Sequence, residues 1–146
     1  MALTYQLVAI PATLVVPILC DKFKNQRGII LVNSFIYLLG MCLFLFANST
    51  ISMILSVVLI SIGMGGSISL SISFISLRSP NALKASQLSG ISQSVGYLLA
   101  AIGPATMGAI YDFTSNWSIP VAYCIVIIIG LAIVGFGAGN NATINE

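Results

Sequence analysis

The run DKFKNQR at residues 21–27 decides the fold class, because it concentrates charge in a chain that has almost none. Four of the chain's eight charged side chains lie in it, at Asp21, Lys22, Lys24 and Arg27. Residues 1–20 before it and residues 28–77 after it carry no charge. Charges gathered between long apolar runs mark the points where a chain meets water.

The composition excludes an ordinary soluble domain. The chain has 146 residues, 58% hydrophobic and 5% charged, whereas about a quarter of the residues of a soluble domain are charged. A helix needs roughly 20 apolar residues to cross a bilayer. Five runs approach that length, at about residues 3–20, 28–47, 51–77, 87–111 and 118–138. The sequence therefore predicts an all-α, polytopic membrane protein with five transmembrane helices in one membrane domain.

The basic residues predict the orientation. The first run has no basic residue before it, so we expect it to be a retained helix and not a cleaved signal peptide. All five basic residues lie in the first and third loops, at Lys22, Lys24, Arg27, Arg78 and Lys84. The positive-inside rule assigns those loops to the cytoplasm. We therefore expect the N-terminus outside and the C-terminus in the cytoplasm.

Prolines and polar residues mark bends and faces of the helices. Pro11 and Pro17 should kink helix one, which a membrane helix tolerates when neighbours satisfy the freed carbonyls. Helix two has Asn33 as its one strongly polar interior side chain, so we expect much of this helix to face lipid. Ser79 is placed to cap a short surface helix that begins at Pro80.

Helix three contains SIGMGGSISLSISFIS at residues 61–76, where serines alternate as they do in a strand. An open strand at this depth would leave its backbone groups unpaired, so we interpret the run as helical. The helix then stacks Ser69, Ser73 and Ser76 on one face. Ser67 and Ser71 fall on the adjoining face.

Helix four carries a ridge of small residues at four-residue intervals: Ser92, Gly96, Ala100, Pro104 and Gly108. Such a ridge lets another helix approach closely. Gln93, Tyr97 and Gly103 border it. We expect Gly96, Gly103, Pro104 and Gly108 to be helix-packing positions.

Most catalytic and cofactor chemistry is excluded. The chain has no histidine, which removes histidine triads and zinc ligand sets. The glycines at 63, 65 and 66 are not followed by a Lys-Ser/Thr pair, so they form no phosphate-binding loop. The three cysteines lie in or beside apolar runs and match no metal or redox motif. We expect no enzyme activity, no catalytic residue, no metal, no cofactor and no nucleic-acid partner.

The charged loop also carries a resemblance to a known family. A helix that ends in Asp-Lys, followed by a short basic loop and another helix, resembles the cytoplasmic loop motif of major facilitator superfamily transporters. Asp21 falls on the motif's acid and Lys22 on its basic neighbour, while the chain departs from the motif at Pro17, Lys24 and Gln26. The stretches YQLVAIPATLVVPILCDKFKNQRG and ISLRSPNALKASQLSGISQSVGYLLAAIGPATMGAIYD are similar to the second half of the cyanate and nitroimidazole branch.

This resemblance covers residues 3–137 and implies a partial major facilitator fold. The five helices would be the eighth to twelfth of a twelve-helix transporter in the cytoplasmic membrane of a bacterium. Helices one, three and four would line the central cavity, and helices two and five would pack outside. The polar side chains of the lining helices are then the substrate-cavity candidates: Gln6, Ser69, Ser73, Gln93 and Tyr97.

The resemblance also implies a conformational latch in the first loop, formed by Asp21 with Lys22 and Arg27. In the family, the motif's acid meets the positive end of a helix in the opposite half and holds the cytoplasmic side closed. The alternative is a loop ion pair, which in an exposed setting contributes at most about 1 kcal/mol.

Three functions remain open from the sequence. The first is a part of a transporter that moves a small polar or anionic solute, with the lipid bilayer and a missing N-terminal half as partners. The second is an inactive truncated remnant, which a frameshifted neighbouring reading frame would favour. The third is a small membrane protein that docks onto other helical proteins through the ridge on helix four.

Overall fold

The computed structural model describes residues 2–22 and 26–139, with side chains described from residue 7 onward. These residues form five α-helices and no strand: α1 (Ala2–Lys22), α2 (Arg27–Leu45), α3 (Thr50–Arg78), α4 (Ala82–Thr114) and α5 (Ser118–Ala138). The predicted all-α class is confirmed. Helices α2 to α5 are long and apolar enough to cross a membrane, as judged by length and composition. Helix α1 has 21 residues and packs along α3.

Helix α3 is the centre of the packing. It lies against α1 on one side and α2 on another, and α2 also packs against α5. The buried hydrophobic cluster joins these helices through Val16 and Cys20 of α1, Ile30 of α2 and Leu70 of α3. Helix α4 touches α3 and α5 only lightly, and none of its residues is buried.

The glycines of α3 make the close approach possible. A Cβ atom added at Gly63 would lie 2.8 Å from the Cα atom of Tyr37 in α2. A Cβ atom at Gly65 would lie 3.0 Å from a carbonyl oxygen of α1, and one at Gly66 would collide with the Asn33 side chain. Small residues here let two neighbouring backbones pack against one helix.

Asn33 links α2 to α3 by hydrogen bonds. Its side chain is buried, and its Nδ2 atom donates to the Gly63 carbonyl at 3.1 Å and to the Ser67 hydroxyl at 3.0 Å. An amide left unpaired in hydrocarbon is costly, which explains why it points at α3. Asn33 and Ser34 therefore lie on a buried face of α2, whereas Phe35 on the other face is exposed.

The start of α4 differs from the sequence prediction. The Ser79 hydroxyl donates to the Ile75 carbonyl at 2.7 Å and so completes α3. Asn81, in extended backbone, is the cap of α4, and its Oδ1 atom accepts from the Lys84 amide at 2.9 Å. Asparagine caps a helix as well as serine does. The predicted Ser79 cap and separate surface helix are wrong, because one continuous helix begins at Ala82.

Candidate functional site

A polar groove runs between α1 and α3 and has a volume of about 500 Å³. We call it the α1/α3 groove, and its lining residues are Thr13, Pro17, Asp21, Ile68, Ser69, Ile72, Ser73, Ser76 and Leu77. It combines four hydroxyl side chains with one carboxylate at the end of α1. Its volume falls within the roughly 300 to 1,000 Å³ of small-molecule sites.

A proline shapes this groove. Pro17 has no backbone N–H, so the carbonyl of Thr13, four residues earlier, loses its helical partner. The buried Ser69 hydroxyl of α3 donates to that carbonyl at 3.0 Å. The expectation that a neighbouring helix satisfies a carbonyl freed by proline is confirmed at this position.

The serine rows of α3 fall on the two predicted faces. Ser69, Ser73 and Ser76 line the α1/α3 groove. Ser67 and Ser71 line a separate cavity of about 160 Å³ between α2, α3 and α5. The helical interpretation of the alternating serines is thus correct, and it assigns the two rows to different neighbours.

The remaining cavity candidates are not gathered in this groove. Gln93 and Tyr97 lie on exposed faces of α4, and the Gln93 amide donates to the Ser89 hydroxyl of its own helix at 2.8 Å. The side chain of Gln6 lies outside the described residues. Of the sequence candidates, the structure brings together Ser69 and Ser73, with Asp21 at the end of the groove.

The residues of the charged loop point to different parts of the molecule. Asp21 and Lys22 are exposed at the end of α1, and Asp21 lines the α1/α3 groove. Arg27 begins α2, and its guanidinium lies 4.8 Å from the centre of the Phe136 ring of α5. Arg78, at the end of α3, donates to the Gln26 side chain at 3.4 Å. Arg27 and Arg78 thus hold the ends of α2, α3 and α5 together.

The ridge on α4 has no close neighbour among the described residues. A Cβ atom added at Gly96, Gly103 or Gly108 would meet nothing within 4 Å, and Pro104 is exposed. The close-packed glycines are on α3 instead. The role predicted for the ridge depends on a partner outside the described part of the chain.

Sequence reasoning did not identify Thr13 as a groove residue. Its hydroxyl donates to the Ile10 carbonyl at 2.7 Å, and its own carbonyl accepts from Ser69. The available signal was its position four residues before Pro17, where a freed carbonyl needs a donor from another helix. Hydroxyl groups can donate and accept, so the groove can bind a polar solute by hydrogen bonds.

Comparison with known families gives one match across the chain. Residues 1–139 match the Major Facilitator Superfamily. No solved structure gives a significant match.

Three bacterial relatives are similar to the chain. The uncharacterised transporter YycB of Bacillus subtilis (strain 168) is 42% identical over 136 residues, which cover 93% of this chain and 34% of the relative. The 2-nitroimidazole transporter of Escherichia coli (strain K12) is 37% identical over 142 residues, which cover 95% of this chain and 35% of the relative. A candidate anionic 4-hydroxy-benzoate permease of Thauera aromatica is 39% identical over 84 residues, which cover 58% of this chain and 51% of the relative. The chain spans about a third of the length of the first two relatives.

Proposed function

Because this chain belongs to the major facilitator superfamily, we propose that it forms five helices of a secondary transporter for a small polar or anionic solute. The relatives are named as transporters or as a permease, and the apolar helices are those of a bacterial membrane protein. The observation that carries the proposal is the α1/α3 groove. Its two helices are among those that the family resemblance assigns to the cavity.

The chemistry of the groove favours solutes that accept hydrogen bonds. Ser76 is exposed within the groove, so its hydroxyl is open to a solute, whereas the half-buried Ser73 hydroxyl also hydrogen-bonds the Cys20 thiol. A nitro or carboxylate oxygen can accept from such donors. Asp21 repels an anion at its end of the groove, so an anion would bind nearer the serines. The names of two relatives include a nitroimidazole and an anionic hydroxybenzoate, both of which are small and carry such oxygens.

A partner is needed to close the pathway. Helix α4 presents Gly96, Gly103 and Gly108 with open space in front of them, and none of its residues is buried. Small residues at this spacing suit a close helix contact. The ridge would therefore meet helices of the transporter half that lies outside this chain, since secondary transporters of this kind work as two halves around a midplane site. The same exposed ridge supports the alternative of a small protein that docks onto other membrane proteins.

The orientation is part of the proposal, with the basic loops in the cytoplasm. In a variant without the native cysteines, Ala82→Cys should be shielded from an impermeant thiol reagent in intact cells. Ser115→Cys, in the loop between α4 and α5, should be labelled. Labelling only at position 82 would show that the topology is the reverse of the one proposed.

Transport is tested with the chain alone and with a complement. The complement is the part of the E. coli 2-nitroimidazole transporter outside the match, produced in the same cells. We expect the chain alone to move no labelled 2-nitroimidazole, and the pair to move it. Transport by the chain alone would show that no second half is needed.

The groove itself is tested by Ser73→Ala in the paired assembly. We expect transport to fall without loss of protein from the membrane, because the side chain loses its hydroxyl and gains no bulk. Ser94→Ala is the matched control, since the Ser94 hydroxyl lies on α4 and donates to its own helix at 2.8 Å. Equal transport by the two variants would show that the α1/α3 groove is not part of the transport pathway.

The latch is tested by Asp21→Asn in the same assembly. The family resemblance implies that Asp21 holds the cytoplasmic side closed, so the variant should increase labelling of cytoplasmic-side cysteines. The yield of the chain alone should not change, because Asp21 is exposed at the end of α1. Unchanged labelling and transport in the assembly would leave DKFKNQR as an orientation signal only.

A further inference from the structure

A second groove lies on the other side of α1, between α1 and α2. We call it the α1/α2 groove; it has a volume of about 470 Å³, and its walls include Val15 and Leu19 of α1, Val32 and Ile36 of α2 and Ile62 of α3. Its one strongly polar lining residue, Asn33, already donates to α3. The groove therefore offers hydrocarbon contact, and it is unsuited to the polar solute proposed for the α1/α3 groove.

The charged end of α1 divides its two charges between the two grooves. Asp21 lines the α1/α3 groove. Lys22 follows Leu19 by three residues, so it lies one turn beyond Leu19 on the face that lines the α1/α2 groove. At the same end, Gly28 lines the groove, and a side chain there would meet nothing within 4 Å. The apolar groove thus ends at a positive charge and an open stretch of backbone.

We propose that the α1/α2 groove binds one acyl chain of an anionic phospholipid, with the phosphate group at Lys22 and the first turn of α2. Apolar walls along the helices match an acyl chain, and basic residues at the end of a groove between helices match an anionic headgroup. The occupant is lipid and not a helix because valine, leucine and isoleucine dominate the walls, whereas the closest approaches of neighbouring helices to α3 are made at glycines.

The first test measures lipid binding to the purified 146-residue chain in a neutral detergent. Native mass spectrometry follows the bound lipid during titration with dioleoylphosphatidylglycerol or with dioleoylphosphatidylcholine. We expect the phosphatidylglycerol to bind about fivefold more tightly, the effect of roughly one basic residue near the membrane surface. Equal binding of the two lipids, or no bound phosphatidylglycerol, would overturn the proposal; in the second case a protein segment becomes the better occupant.

The location is tested by filling the groove. Val32→Trp places a large ring in it, and we expect phosphatidylglycerol binding to fall by about fivefold or more. Ile133→Trp is the matched control, because Ile133 is exposed on α5 away from the groove. Equal binding by the two variants would show that the lipid binds elsewhere.

The headgroup contact is tested by Lys22→Gln, which leaves the groove intact and so does not depend on the fold of the tryptophan variant. We expect the preference for phosphatidylglycerol to disappear while phosphatidylcholine binding stays the same. Lys84→Gln is the matched control, since Lys84 is an exposed basic residue in the first turn of α4. A preference that survives Lys22→Gln, or that Lys84→Gln removes equally, would overturn the assignment of the headgroup.

Discussion

Helices α3 and α4 are both rich in small residues, and they use them in opposite ways. On α3, Gly63 and Gly66 are buried against the side chains of α2, and Gly65 is buried against α1. On α4, Gly96 and Gly108 face open space. The same residue type therefore marks a close helix contact on α3 and an open surface on α4 among the described residues.

The spacing of small residues identifies a surface that another helix can approach closely. It does not identify which helix approaches. On α3 the glycines come with donors and acceptors that pair across the helices, as in the bonds from Asn33 to Gly63 and Ser67. On α4 the polar side chains pair within their own helix: Gln93 donates to Ser89, and Ser94 to Gly90. Interhelical polar pairing, more than glycine alone, distinguishes the completed contact.

The largest expected effect on stability comes from adding a methyl group to α3. Gly63→Ala places a Cβ atom 2.8 Å from the Tyr37 backbone, so α2 must move. Overpacking of this kind costs about 1 to 3 kcal/mol. Unfolding of the chain in mixed micelles, followed by circular dichroism, should show that loss.

The matched control for this comparison is Gly103→Ala. It should leave the stability of the chain unchanged or slightly raised, because the added Cβ atom meets nothing within 4 Å and alanine favours a helix. If the two variants lost the same stability, α4 would already be packed and the contrast between the helices would be wrong.

A smaller effect is expected from the hydrogen bonds that Asn33 donates to α3. Asn33→Ala removes both bonds from α2 to α3, and interhelical bonds of this kind are worth on average about 0.6 kcal/mol each in membranes, or roughly 1.2 kcal/mol for the two. Ser94→Ala on α4 is the control and should change little, because its bond is intrahelical. In the double variant Asn33→Ala, Ser67→Ala, the losses should be less than additive. Strict additivity would contradict a direct bond between the two side chains.

The smallest effect concerns the carbonyl freed by Pro17. Ser69→Ala removes its donor and should cost about 0.6 kcal/mol, the average for one interhelical bond. In a Pro17→Ala background, position 17 regains an N–H that can serve the Thr13 carbonyl. The same Ser69→Ala change should then cost less. An equal cost in both backgrounds would mean that Ser69 acts through packing and not through this bond.

Much of this architecture could be predicted from the sequence because charge and hydropathy act locally. The uncharged runs around residues 21–27 indicated the helices, and helical geometry alone placed Ser69 and Ser73 on a face apart from Ser67. The burial of Asn33 was missed, because its partners are 30 and 34 residues away in sequence. Only the packing of α2 against α3 brings them together.

The candidate site was predicted in part. The sequence indicated which helices carry polar side chains, but it could not show that α4 stands apart from the groove between α1 and α3. Tyr97 is therefore exposed, although it was grouped with Ser73. That placement depends on the weak contact of α4 with its neighbours, which the periodicity of α4 does not reveal.

The oxygen accessibility of nitroxide labels tests whether the ridge on α4 meets a segment outside this chain. Labels replace Gly96, Ala100 and Gly108 on the ridge, and Val126 and Ile133 on the exposed surface of α5. In the chain alone, ridge and α5 labels should be equally accessible; in the assembly with the complementing half, only the ridge labels should become shielded. Ridge labels that are shielded in the chain alone, or that stay accessible in an assembly that transports, would contradict the claim.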